Sequence, residues 1–511
     1  MWVGVQPPGD RNHTSSFAVT SAYSTLAALG GLLAASPILE AYFHDDDFLH
    51  LFQLVNYGPR EFITAPYAGH MYLVRNSVFF LTFWLFGMHA TAYLASVLAT
   101  HVANVLLLFG LVRRLTASAR IACFGALLFA VSPANFGTLP WYSVYGHVLA
   151  TTFVLAALLL LAPSPEDRAA PLSTCRAVAI ACCMLAASQS FGTGVAAAVL
   201  TPLVAALLRP LAFRNRGAAA ALLSVPVLVG VAMAALYLRR TFLNPDPMAP
   251  VHLLEVSAVV WRLVASMIGH ILCLGIVSLL LGAAYPLERY PDAVSAATTA
   301  AFGIGLLWAF RRGSSRARRS LLAFLALAFA CYAMVALGRA VLLALIQPAA
   351  LVHAYVAGTR YHYLAQTLLA VLLCLVLAEA NRRLLLTSRT TSLLLAAWVF
   401  WSVTSAILLR PSIGSFDAIR NLVASQRADV EREVLTRPPG ATVCVPNEPA
   451  PLTLGFPGSV GIFMLYHRDD ALEGRRVYFV SSDPGVLAMR EQGGRLRGLL
   501  LPAGHCPPSA G

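Results

Sequence analysis

Residues 17–47 read FAVTSAYSTLAALGGLLAASPILEAYFHDDD: an uncharged apolar run to Leu39, then Glu40, then Asp45, Asp46 and Asp47 in succession. A bilayer core accommodates roughly 20 apolar residues in a helix. The run Phe17 to Leu39 is therefore a spanning helix, and the acidic triplet emerges at one membrane face. Carboxylates held beside an interface are costly to desolvate, which makes them candidates for a functional site.

The rest of the chain repeats the apolar theme. It has 511 residues, 58% hydrophobic and 12% charged, against about 25% charged in an ordinary soluble protein. Its mean hydropathy of +0.72 points the same way, to a polytopic membrane protein. All 36 basic residues are arginine. Residues 1–410 carry 26 Arg and 13 acidic residues, and residues 411–511 carry ten of each, so the net charge of +13 belongs to the apolar portion. Positive charge marks cytoplasmic loops. No basic stripe with interleaved aromatics is present, which argues against a nucleic-acid partner.

Arginine clusters at 113–120, 209–216, 311–319 and 382–389 separate the apolar runs. With all four in the cytoplasm, candidate spans fall at 17–39, 90–112, 120–139, 146–162, 176–191, 193–208, 217–238, 292–310, 320–338, 362–380 and 391–409. That gives about eleven crossings, with residues 1–16 as a cytoplasmic tail, a transmembrane domain over 17–410, and the C-terminus outside. Residues 71–88 suit an interfacial helix. Residues 256–284 read as a re-entrant or hairpin segment, because the flanking arginines place both ends outside. The expected class is an all-α polytopic membrane protein with a small α+β extracytoplasmic domain at 411–511. In that domain the alternating runs Thr442–Val445 and Arg476–Val480 read as strands. Cys444 and Cys506 stand apart there, and an oxidising compartment would let them form a disulfide. The lysine-free Ala/Leu/Arg composition suggests a bacterial inner membrane.

Chemistry concentrates in the outer loops, above all the loop over 40–89. The three aspartates cannot face one point, since successive helical residues turn by about 100°. Adjacent carboxylates repel, so one acquires a raised pKa suited to base chemistry; an acidic helix cap is the plainer reading. His44 and His50 flank the triplet, but no tight ligand motif such as HExxH is present, and we expect neither metal nor cofactor. His70 and Arg75 follow in the same loop. Arginine grips phosphate through a two-pronged fork, so Arg75 is a candidate phosphate ligand, with snorkelling as its plainer reading. A later outer turn holds Trp141, Tyr142 and His147, and Arg360, Tyr361 and Tyr363 open the penultimate span. No Walker loop, dinucleotide fingerprint or GxSxG elbow occurs.

The order of these parts resembles the glycosyltransferase C fold, in particular bacterial relatives of protein O-mannosyltransferases and aminoarabinose transferases. The resemblance covers roughly 17–410. It rests on the aspartate cluster after the first span, the His70…Arg75 segment, and a helix with Tyr93, His101 and Asn104 ending in Arg113-Arg114. The run Leu128 to Pro133, the Trp141-Tyr142…His147 turn and the Arg360-Tyr361…Tyr363 segment complete it. The resemblance implies an inverting sugar transfer from a polyprenyl-phosphate donor to an envelope acceptor: a lipid, glycan or protein. Asp45 or Asp46 would be the base, Arg75 and Arg360 would face the phosphate, and Asp47, His50, His70, Tyr142, His147, Tyr361 and Tyr363 would contact substrate. A lipid-linked-sugar carrier and a non-catalytic envelope scaffold are the alternatives. Carriers place ionisable residues mid-bilayer and show paired repeats, neither of which is visible here.

Overall fold

The structure is a computed structural model, and it describes residues 11–67, 70–163, 170–238, 258–281, 292–344, 358–383, 388–408, 414–453 and 455–507. The first helix, α1 (Arg11–Ala35), leads through a short 3₁₀ turn (Ser36–Glu40) into α2 (Asp46–Tyr57) and α3 (Pro59–Thr64). A two-stranded ribbon, β1 (Pro66–Tyr67) and β2 (His70–Met71), precedes α4 (Leu73–Phe86). Then come α5 (Ala90–Thr116), α6 (Ala119–Ala130), α7 (Gly146–Leu161), α8 (Thr174–Ser188), α9 (Gly192–Val199), α10 (Thr201–Leu208) and α11 (Arg216–Leu238). The bundle is completed by α12 (Ala258–Leu281), α13 (Asp292–Arg312), α14 (Ser315–Ala344), α15 (Tyr363–Arg382) and α16 (Ser388–Leu408).

Helices are the only open-ended elements that satisfy every backbone donor and acceptor inside lipid, so uncharged runs of this length fold this way. Among the described residues, eight helices are long and apolar enough to cross a membrane, and α4, α6 and α8 are shorter apolar helices. Packing follows the helical period. On α5 the buried residues Tyr93, Leu94, Val97, Leu98, His101, Val105, Leu108 and Val112 recur every three or four positions, which gives the helix one inward face. Ser118 and Ser173 cap α6 and α8 by accepting hydrogen bonds from the amides of Ile121 and Arg176, which satisfies one otherwise unpaired donor in each.

Residues 256–284, expected to form a re-entrant hairpin, differ. Residues 258–281 form the single helix α12, and Trp261–Leu281 is apolar and long enough to span. Arginine bookkeeping gave the wrong shape because charge bias orients short loops but does not bend an uninterrupted apolar run.

After the bundle, α17 (Gly414–Leu435) leads into β3 (Thr442–Pro446), α18 (Ser459–Tyr466), β4 (Ala471–Leu472), β5 (Arg475–Ser481), α19 (Pro484–Glu491), α20 (Leu496–Leu499) and β6 (Leu500–Pro502). β5 is the central strand. It pairs in parallel with β3 and β6 and antiparallel with β4, and its burial alternates along the chain, as a strand with one packed face requires.

This C-terminal region is fastened to α2. Asn56 accepts hydrogen bonds from the amides of Arg495, through its carbonyl at 3.0 Å, and of Leu496, through its side chain at 2.7 Å. The Phe456 ring packs edge-on against Phe48 and Phe52 at 5.9 and 6.1 Å. Glycine is needed at 494, where φ is +77° and a Cβ would press on Asn56. Cys444 on β3 and Cys506 beyond β6 are bonded, with Cα atoms 6.2 Å apart and 62 residues between them in sequence. Closing a loop of that length stabilises by about 4 kcal/mol in the chain-entropy account. Reduction, or Cys444→Ser, should therefore make the segment 414–507 protease-sensitive while leaving the bundle intact. Limited proteolysis with mass spectrometry reads this out, and an unchanged cleavage pattern would contradict it.

Candidate functional site

The three consecutive aspartates take three different environments. Asp45 is exposed, Asp46 half-buried and Asp47 buried to 1% exposure. One Asp47 oxygen accepts from both the amide and the hydroxyl of Ser143, each at 2.6 Å, and the other accepts from the His44 amide at 3.2 Å. Ser143 in turn offers its carbonyl to Arg75, whose Nε and Nη2 lie at 3.2 and 2.9 Å. One residue thus joins a buried carboxylate to a buried guanidinium.

Arg75, 3% exposed, is further committed. Its Nη1 donates to Asn76 at 2.6 Å, Nη2 lies 2.7 Å from His50 Nε2, and its guanidinium sits over the Tyr72 ring at 5.0 Å. Guanidinium nitrogens only donate, so His50 Nε2 accepts, and its proton is on Nδ1, directed to Gln53 Oε1 at 3.4 Å. His50 is therefore neutral. Burial, helped by the Arg75 charge, lowers its pKa well below the usual imidazole value. Burial also raises the pKa of Asp47, against the opposing effects of His44 and Ser143.

This changes the sequence-based picture. Arg75, expected to face a phosphate, is buried with its donors on Ser143, Asn76 and His50, and Asp47 and His50 are buried beside it. Tyr142 is a core residue: it is 1% exposed, its hydroxyl pairs with Thr82 at 2.9 Å, and its ring packs on Tyr93 at 4.8 Å. Tyr363 is buried among the helices, with its hydroxyl 2.7 Å from His101 Nδ1. His70 lies on β2, and its side chain lies outside the described residues.

Other residues do gather near the end of α14 and the start of α15. Arg360 sits over the rings of Trp141 and Tyr361 at 5.1 and 4.9 Å and donates to the Tyr361 hydroxyl at 3.2 Å. Arg339, near the end of α14, lies over the same Tyr361 ring at 5.4 Å. His147 faces Tyr361 at 6.4 Å and packs on Phe191 at 3.5 Å between ring centres. The Tyr72 hydroxyl, raised to about 12 by burial, is influenced by Arg75, Arg339, Tyr361 and Asp46 together. The Arg360 segment sits this close because residue 137 is glycine: a Cβ there would overlap Thr359.

Asp45 carries the other unusual feature. Its φ of +46° and ψ of −127° place a side-chain-bearing residue where glycine is normally found. Such strain costs about 1–3 kcal/mol and persists only when neighbours enforce it. Here they do, because the Asp47 carboxylate holds the His44 amide and the Asp45 carbonyl accepts from Phe48 at 3.2 Å. The outcome is a carboxylate displayed at the start of α2. Among the described residues, no group of three or more His, Cys, Asp or Glu is placed to hold a metal ion. Sequence reading missed Arg339. Its signal was an arginine near the end of a long apolar run, apart from the four arginine clusters.

Removing the Asp47 carboxylate strands the buried amide and hydroxyl of Ser143. Asp47→Ala should cost about 2–5 kcal/mol, the penalty of two stranded buried donors, whereas Asp45→Gly should stabilise by about 1 kcal/mol through relief of backbone strain. Thermal unfolding in detergent compares the two, and equal effects would refute the division of roles. A pH test isolates His50. Below its unfolded pKa of about 6.5 the unfolded chain takes up a proton that the folded site refuses, so stability falls as pH drops. His50→Gln should lessen that fall as the pH drops below about 6.5. The opposing effect of Asp47, which favours the folded state as pH falls, is present in both proteins.

No family model and no curated protein matches the chain. Several solved structures are similar in fold, including those of two glycosyltransferases of the C fold. One is ArnT from Cupriavidus metallidurans bound to undecaprenyl phosphate, with 12% identity over 95% of this chain and 89% of that chain and a TM-score of 0.37. Another is the oligosaccharyltransferase of Archaeoglobus fulgidus in the apo form, with 13% identity over 89% of this chain and 64% of that chain and a TM-score of 0.42. The third is the same archaeon's AglB in complex with an inhibitory peptide and a dolichol-phosphate, with 14% identity, 79% and 58% coverage and a TM-score of 0.38. The chain thus spans about three fifths of the archaeal enzymes' length. At these identities and scores the likeness assigns no residue a role.

Proposed function

We propose that the protein transfers a sugar from a polyprenyl-phosphate donor to a hydroxyl-bearing envelope acceptor, on the outer face of a bacterial inner membrane, with its N-terminus in the cytoplasm. The observation that carries this reading is the pairing of Arg339 and Arg360 on one Tyr361 ring at the ends of two bundle helices. Two cations beside the interface suit a phosphate whose lipid chain stays in the bilayer. The sequence resemblance supplies the reaction class.

In this reading Asp45 or Asp46 takes the proton of the acceptor hydroxyl. The oxygen attacks the anomeric carbon from the face opposite the phosphate, the bond from carbon to phosphate oxygen breaks, and configuration inverts. Polyprenyl phosphate leaves with the electron pair, and Arg339 and Arg360 offset its growing charge. The leaving phosphate needs no proton, so one carboxylate suffices, unlike the pair used in glycoside hydrolysis. The strained turn at Asp45 fits a base kept on display, and Asp46 lies within electrostatic range of Tyr72. Arg75 is replaced by Arg339 as the second phosphate partner, because its donors are engaged by Ser143, Asn76 and His50.

Carriers place their ionisable residues at the membrane centre. Among the described residues, the buried acidic and arginine side chains of the membrane portion, Asp47, Arg75, Arg209 and Glu379, lie in loops or in terminal turns of helices, and only histidines, His101 and His270, sit mid-helix. That distribution favours an enzyme.

The test is transfer of radiolabelled sugar from polyprenyl-phosphate donors to envelope extract by the purified protein. Asp45→Ala/Asp46→Ala should lower transfer by about 10²–10⁴-fold, the usual worth of a general base, with folding unchanged. Arg339→Gln and Arg360→Gln should each lower it as well. Full activity in the double alanine variant would remove the proposed base.

A further inference from the structure

Away from the Arg339–Arg360 cluster, a cleft of about 650 Å³ opens between the outer loop and the C-terminal region. Leu54 and Val55 of α2, Phe83 of α4, Met88, and Met464 and Leu465 of α18 form its apolar part. Arg427, Arg468, Arg495 and His89 also line it, and no acidic residue among the described ones does.

The three arginines are held differently. Arg427 pairs with Glu431 at 2.7 Å and lies over the Tyr466 ring at 4.4 Å. Arg495 pairs with Asp470 at 2.7 Å and donates to the carbonyls of His467 and Met464. Both therefore frame the cleft with their charges already matched. Arg468 is exposed, and no hydrogen bond or ion pair engages it among the described residues. It is an uncommitted guanidinium at the edge of an apolar hollow.

The hollow adjoins an exposed apolar stretch of α4. Phe83 is on the same helix as Trp84, Leu85 and Phe86, which are 60%, 54% and 43% exposed. An exposed tryptophan beside apolar neighbours at a helix end is typical of the membrane–water boundary. A ligand entering from the bilayer would keep its chain along α4 and bring its head to Arg468.

We propose that this cleft binds the headgroup of a phosphate-bearing lipid, with Arg468 as the anion contact and Leu54, Val55 and Met464 as the floor. The site is separate from the Arg339–Arg360 cluster and does not depend on sugar transfer. Charge complementarity selects an anion, and the apolar floor selects a lipid over free phosphate.

The experiment uses the full-length protein in phosphatidylcholine nanodiscs, titrated calorimetrically with short-chain phosphatidic acid, short-chain phosphatidylcholine or inorganic phosphate. Phosphatidic acid should bind more tightly than either of the others. Arg468→Gln should weaken it about tenfold, equivalent to 1.4 kcal/mol, and Val55→Trp, which fills the floor, should weaken it independently. Arg360→Gln should leave this binding unchanged. Equal binding by Arg468→Gln and the parent would overturn the site. Inorganic phosphate binding as tightly as the lipid would overturn the lipid assignment, and loss in Arg360→Gln alone would place the lipid at the other cluster. Because Arg468 is exposed and unbonded, its replacement does not threaten folding.

Discussion

A buried carboxylate and a buried guanidinium that share one serine hold one end of the helical bundle together. Asp47 takes the amide and hydroxyl of Ser143, and Arg75 takes its carbonyl. Together, with His44, His50 and Asn76 filling the remaining positions, they bind the start of α2, the start of α4 and the turn before α7 into one unit. The strained turn at Asp45 depends on this unit, because the Asp47 carboxylate fixes the amide of His44 immediately before it. The same α2 then carries the C-terminal region on Asn56, Phe48 and Phe52.

Function, on this account, is a matter of where the fold gathers its charges. Arg75 and Asp47 are joined through Ser143. Arg339 and Arg360 both lie over the Tyr361 ring, and a planar aromatic face supports a cation. A phosphate approaching there meets positive charge at low reorganisation cost, the condition under which electrostatic stabilisation of a leaving group is strongest.

Much of the fold was legible in the sequence, because apolar run length decides helices in lipid and little competes with it. The spans near 90–112, 146–162, 217–238, 292–310, 320–338 and 362–380 correspond to α5, α7, α11, α13, α14 and α15. The hairpin expected at 256–284 failed because it was argued from flanking charge and not from the run itself. The site was only partly legible. The aspartate triplet, Arg360 and Tyr361 stand out as residues, but which aspartate turns inward depends on Ser143, 96 residues away in sequence. Arg75 reads as a phosphate ligand until Ser143 and His50 are seen to take its donors. Partnerships across such distances leave no local trace in one sequence.

The most direct measurement is a cryo-electron microscopy structure of the protein in nanodiscs with added polyprenyl phosphate. The account predicts phosphate density between Arg339 and Arg360, beside Tyr361 and facing Asp45 and Asp46, with Arg75 still buried on Ser143. Phosphate bound to a rotated Arg75, or density at no arginine near Tyr361, would contradict it.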